Sequence, residues 1–220
     1  MKLLVEALVK FLVGAFLVAL LLFLPAGAFF GGGVLLMALL FIPMLVFGIL
    51  LFVKAPGLLK KRLDVKEKQS AQKGVVALSA LMFVAGFVTA GLDFRYAWSH
   101  VSDTVVTVFS VILLIGYLMF AEVVRENAYL SRSVKVEDGQ KVISHGLYSL
   151  VRHPMYLATL MIFLSMPFVL GSYVSVVPFL FYVPIIAVRI VYEEKLLDTE
   201  LCGYAEYKKK VKCRLIPLVW

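Results

Sequence analysis

The chain alternates long apolar runs with short, strongly charged connections. A helix needs roughly 20 apolar residues to cross a hydrocarbon layer about 30 Å thick. Six runs approach that length: Leu3–Leu24, Gly33–Val53, Val75–Leu92, Thr104–Val124, Pro154–Leu170 and Tyr173–Val191. Glu6 and Lys10 interrupt the first run and move its apolar start toward Phe11. The fifth is short, and only Gly171-Ser172 separates it from the sixth, so the pattern predicts a tight helical hairpin. Ala26-Gly27-Ala28 resembles the small-residue cleavage site of a signal peptide,. The expected fold is therefore an all-α integral membrane protein of about six transmembrane helices, or five if the first is cleaved.

Composition supports lipid as the solvent. The 220 residues are 62% hydrophobic and 16% charged, against about half and a quarter in soluble domains. The formal net charge of +8 would suggest nucleic acid in a soluble protein. Here no basic segment is interleaved with exposed aromatics, and the charge is expected to meet membrane lipids instead. All of the 22 Lys and Arg except Arg95 fall on one side of the six runs. By the positive-inside rule the protein is multi-pass with both termini cytoplasmic. Cys202 and Cys213 have no Cys or His partner at metal spacing, so no metal is expected,.

Candidate chemistry sits in two places. Gly139–Tyr156, GQKVISHGLYSLVRHPMY, is polar and leads straight into the fifth run. Pro154 suits the first turn of that helix, which leaves Arg152 and His153 at its mouth, where unpaired N–H groups and the helix dipole favour an anion. The second cluster is Arg189, Tyr192, Glu193 and Glu194 at the end of the sixth run. Arg189 and Glu193 are four apart and share a helix face. The hairpin should bring the two clusters together. Each residue also has a plainer reading: Arg152 and Arg189 as interfacial anchors, His153 as a helix cap, Tyr148 and Tyr156 as interfacial belt residues, Glu193 and Glu194 as ion-pair partners of the Lys-rich tail.

The order of motifs resembles the isoprenylcysteine carboxyl methyltransferase family, which is related to membrane phospholipid methyltransferases. It runs Gly146-x-Tyr148, Arg152-His153-Pro154-x-Tyr156, an apolar hairpin, Arg189-x3-Glu193-Glu194, Tyr204-x2-Tyr207, Arg214 and Pro217, and it covers about residues 120–220. The resemblance implies that residues 1–124 are N-terminal transmembrane helices forming a lipid-side wall, and that 125–220 are a methyltransferase core with a cytoplasmic cofactor pocket. It implies S-adenosyl-L-methionine as cofactor, held by Gln140, Lys141, Val142, Ile143, Tyr148, His153, Pro154, Met155, Tyr156 and Glu193. It implies Arg189 as the residue that orients the substrate carboxylate. Ala158 stands where many family members have glycine, and Gln140–Ile143 differs from eukaryotic relatives in residue type, which suggests contacts through backbone. The polar segment Arg125–Arg132 is a candidate for closing the pocket.

The implied function is methylation of a lipidic acceptor, the carboxylate of an isoprenylcysteine-like substrate. A carboxylate is ionised at neutral pH and needs no general base. The alternatives from sequence are a phospholipid amine N-methyltransferase, with His145 or His153 as base, a membrane reductase, and a non-enzymatic transporter or structural protein. Against the last, no span carries a central charge pair or a visible inverted repeat.

Overall fold

A computed structural model describes residues 2–63, 70–130, 136–137, 139–217 and 220. Its helices are α1 (Lys2–Ala26), α2 (Gly31–Lys54), α3 (Pro56–Leu63), α4 (Ser70–Tyr96), α5 (Asp103–Glu126), α6 (Pro154–Val169), α7 (Val176–Leu180), α8 (Tyr182–Glu200) and α9 (Tyr204–Lys210), with a 3₁₀ turn at Gly146–Ser149. No strand occurs among the described residues. α1, α2, α4, α5 and the α7–α8 unit are long and apolar enough to cross a membrane. α6, the fifth run of the sequence, has 16 residues and is shorter, about 24 Å at helical rise. Part of the charged connection after the second run is α3; residues 64–69 of it lie outside the described residues.

Lipid-facing sides explain the exposed apolar surface. Leu12, Phe16 and Leu24 on α1, Ile42 and Val53 on α2, and Leu118 on α5 are all more than 60% exposed. In water such a continuous patch would drive association; in a bilayer its backbone is satisfied within each helix and its side chains meet acyl chains. The interior is built by α6, which packs chiefly on α5 and is flanked by α2, α7 and α8. Leu22, Leu36, Leu113, Phe179 and Ile190 are fully buried there. Phe163 meets Phe83 and Tyr182 edge-on at 4.8 Å between centroids.

Without a hydrophobic force between helices in lipid, close backbone approach does the work. At Gly116 on α5 an added Cβ would lie 2.8 Å from Ile162 and 3.1 Å from the Ala158 carbonyl. Ala158 is itself fully buried. The small residue expected at 158 is thus half of a contact whose other half is Gly116.

One end of the bundle gathers the N-terminal turns of α1, α3, the C-terminus of α5, the N-terminus of α6 and the C-terminus of α8. Lys10 Nζ reaches the Leu63 carbonyl at 2.7 Å, and Lys61 Nζ reaches Glu137 Oε2 at 2.5 Å. The opposite end is fastened at Asp93, which is 1% exposed. Asp93 accepts from the Ser99 N–H at 2.7 Å, from Ser99 Oγ at 2.5 Å and from Ser172 Oγ. The hairpin turn passes through Gly171 at φ +79°, left-handed geometry that suits glycine,.

Candidate functional site

At the first of these ends a pocket, partly open to solvent, lies between α6, α8, α9 and the α5–α6 connection. Gln140, Lys141, Val142, Ile143, Tyr148, His153, Met155, Tyr156, Arg189 and Glu193 all line it. Pro154 does not line it; it is buried as the first residue of α6 and starts the helix whose mouth forms the floor. His145 is exposed and Tyr192 is 41% exposed, and neither lines the pocket.

The floor is an ion cluster around Glu194, a residue only 3% exposed. Arg152 Nε donates to Glu194 Oε1 at 2.7 Å, and Arg214 Nε donates to Oε2 at 2.9 Å. His153 Nε2 lies 3.3 Å from Oε1. His153 is the N-cap residue of α6 by backbone, yet its side chain makes no cap bond; the imidazole is turned to Glu194 instead. The terminal nitrogen of Arg152 also donates to the carbonyls of Val211 and Lys212, both at 2.8 Å. The Arg152 and His153 N–H groups donate to the carbonyls of Cys213 and Arg214 at 3.0 and 2.9 Å. The entry to α6 and the segment after α9 are therefore one backbone-tied unit. A buried carboxylate with several cationic donors is held in place strongly, because each charge is compensated at short range.

Above the floor runs a second, shorter chain. Arg189 Nε donates to the Tyr156 hydroxyl at 2.9 Å, and that hydroxyl donates to Glu193 Oε2. The Arg189 guanidinium carbon is 6.0 Å from the Tyr156 ring centroid. The His153 ring lies 5.8 Å from the Tyr156 ring. One phenol thus joins the arginine and the acid that share a face of α8, and both are tied to α6.

The connection between α5 and α6 supplies the remaining wall. Asn127 Nδ2 donates to the Tyr148 hydroxyl at 2.9 Å, and the Tyr207 hydroxyl donates to the Tyr148 carbonyl at 2.6 Å. Burial pushes the Tyr148 hydroxyl up to about 12, against the partial relief of the Asn127 hydrogen bond,. Glu126 accepts from the Leu147 N–H at 3.0 Å. Gly146 sits at φ +57°, where a Cβ would fall 1.5 Å from a Glu126 oxygen, so glycine is required on both counts,. Gln140 lines the pocket while its side-chain oxygen accepts from the Glu137 N–H at 2.9 Å. Its side-chain oxygen is thus engaged within its own loop.

Several lining residues have no individual site role from sequence, though Tyr204 and Tyr207 belong to the motif order. Asn127, Tyr129 and Leu130 belong to the polar segment 125–132, whose members carried no assignable roles; Ser131 and Arg132 lie outside the described residues. Leu197, Leu201, Tyr204 and Tyr207 form the far wall. Leu197 and Leu201 continue the four-residue spacing of Arg189 and Glu193, a signal visible in sequence once that face is known to be lined.

Residues 105–199 match the isoprenylcysteine carboxyl methyltransferase (ICMT) family. Comparison with curated proteins gives no match. The matched segment holds Tyr148, Arg152–Tyr156, Arg189 and Glu193–Glu194, whereas Leu201, Tyr204, Tyr207 and Arg214 lie beyond it. The match covers less than half of the chain and is to a family of membrane methyltransferases.

Proposed function

We propose that this chain, an integral membrane protein with an ICMT-family region, is an S-adenosyl-L-methionine-dependent methyltransferase that methylates the carboxylate of a lipidic, isoprenylcysteine-like acceptor. The observation that carries the proposal is the Arg189–Tyr156–Glu193 chain inside a pocket walled by the residues that the family pattern selects. The donor set fits a sulfonium nucleoside. An acid and aromatic faces stand at one end for a cation, and an apolar wall at the other for a base.

The cofactor would supply an electrophilic methyl group on a positively charged sulfur; Tyr148, His153, Met155, Tyr156, Glu193 and the backbone of Gln140–Ile143 would hold it. Arg189, whose Nε donates to the Tyr156 hydroxyl, would orient the substrate carboxylate by charge-assisted hydrogen bonding. A carboxylate with its ordinary pKa near 3.5 is already a nucleophile at neutral pH, so the protein has no proton to remove. Its task is positioning and exclusion of water. The reaction joins opposite charges into neutral products, which a pocket bordered by lipid favours. α1, α2, α4 and α5 would form the lipid-side wall. The basic residues gathered at the pocket end would put that end, with both chain termini, in the cytoplasm.

The test has two stages. Purified protein in detergent should be stabilised against heat by S-adenosylhomocysteine and not by NADPH, since only a ligand that binds the folded state raises its stability. Labelled methyl should then pass to a prenylcysteine analogue as a base-labile ester. Stable label in a phospholipid amine would point to N-methylation, and absence of any transfer would end the proposal. Arg189→Lys should lower turnover on the order of 10²-fold, the effect of misplacing a reacting group by about 1 Å, without lowering the affinity for S-adenosylhomocysteine.

A further inference from the structure

The pocket has two unlike ends, ordered along α8. Arg189, Glu193, Leu197 and Leu201 recur every four residues and all line it. They form a stripe about 18 Å long at helical rise. At the Arg189 end stand His153, Tyr156 and Glu193. At the Leu201 end the wall is apolar: Leu201, Tyr204, Tyr207 and Val211 form a separate buried cluster against which Val142 and Leu197 pack.

One polar atom in that apolar end is out of keeping. Tyr204 is 3% exposed, and its hydroxyl is buried without a hydrogen-bond partner among the described residues. It is the single such side-chain atom among them. Its neighbour Tyr207, 5.8 Å away between ring centroids, spends its hydroxyl on the Tyr148 carbonyl. Leaving a buried hydroxyl unmade costs about 1–3 kcal/mol, and phenylalanine would fill the same space without that cost. Burial, then the negative charges of Glu194 and Glu193, keep the phenol protonated. A protonated, buried hydroxyl without a partner is a donor left for an acceptor that the described residues do not supply.

We infer that the Tyr204 hydroxyl is a binding group for the nucleoside half of the methyl donor, donating to an acceptor atom of the base or ribose at the apolar end of the pocket. The inference rests on the function proposed above. Tyr204 lies beyond the matched family segment. The polarity of the stripe supports the orientation. A purine, flat and largely apolar, belongs between Val142, Leu197 and Leu201, whereas the amino-acid and sulfonium portion belongs with Glu193, Tyr156 and His153. Tyr204 would then act as a recognition residue that tells an adenosine-bearing ligand from an apolar one of the same outline.

The test is titration calorimetry on the full-length chain in detergent with S-adenosylhomocysteine, and with 5′-methylthioadenosine, which lacks the amino-acid part. Tyr204→Phe removes the hydroxyl and keeps the ring. It should weaken both ligands about three- to tenfold, the loss expected for one net hydrogen bond, while the melting temperature without ligand stays the same or rises. Unchanged affinity for both ligands, with the wild type binding normally, would overturn the assignment and leave the proposed function intact. Weakening of S-adenosylhomocysteine alone would overturn the nucleoside orientation. If the wild type binds neither ligand, the proposed function fails, and this inference with it.

Discussion

Two buried carboxylates stand at opposite ends of α6 and are satisfied in opposite ways. Asp93 meets neutral donors, an amide N–H and the hydroxyls of Ser99 and Ser172. Its partners come from the α4–α5 loop and the hairpin turn, and together they tie two loops at one end of the bundle. Glu194 meets two guanidiniums and an imidazole, drawn from the entry of α6 and from the segment after α9. Neutral donors close an end; ionic donors fix the floor of a pocket. Asp93 restrains the far end of α6 as a joint, whereas Glu194 orients the side chains that flank the candidate site.

The sharpest way to break this comparison is to remove both acids in turn. Glu194→Ala leaves Arg152 buried with its carboxylate partner gone, a change that typically costs about 3–5 kcal/mol. It should lower the thermal midpoint in detergent and abolish calorimetric binding of S-adenosylhomocysteine together. Asp93→Asn keeps size but sets an amide group among donors, and should cost about 1–3 kcal/mol. Its ligand affinity at a temperature where the fold is intact should match the wild type. A tenfold loss of affinity in the Asp93 variant would mean that the far end governs the pocket after all.

A smaller effect sharpens the same contrast through pH. Tyr148, Tyr204 and Tyr207, all at the pocket end, are pushed up by burial, Tyr148 to about 12. In the unfolded chain they ionise near 10, so above that pH the unfolded state binds fewer protons than the folded one and stability falls as pH rises. Tyr148 alone accounts for roughly 1 kcal/mol by pH 11. The thermal midpoint should be flat between pH 8 and about 10 on this account and decline beyond it, with the buried tyrosines' share of the tyrosinate absorbance appearing only on unfolding. Tyr148→Phe should flatten part of that decline.

Much of the architecture is legible in the residues themselves. Apolar runs bounded by lysine clusters give the helices because lipid leaves the backbone no alternative. Pro154 marks the start of α6, Gly171-Ser172 the hairpin, and the spacing of Arg189 and Glu193 a shared face. The limits are equally physical. Asn127 and Tyr129 sit in a polar stretch without periodicity, where a side chain's destination depends on loop geometry. Glu194 reads as a partner for the Lys-rich tail; it takes Arg214 from that segment, while Lys208 pairs with Asp198 at 2.7 Å instead. Its bonds to Arg152 and His153 span about 40 residues, a distance no local pattern encodes. Tyr204 shows in sequence only as part of a motif order, because an unmet hydroxyl is a property of three-dimensional surroundings.

The backbone tie between Arg152-His153 and Cys213-Arg214 has a consequence for truncation. Every helix long and apolar enough to cross the bilayer precedes residues 211–214 in the chain. A chain truncated before Val211 would therefore keep those helices yet lack one edge of the candidate pocket's floor. The helices that cross the membrane and the edge that completes the pocket floor are thus separable parts of the chain, and the second depends on the segment after α9 folding back onto the entry of α6.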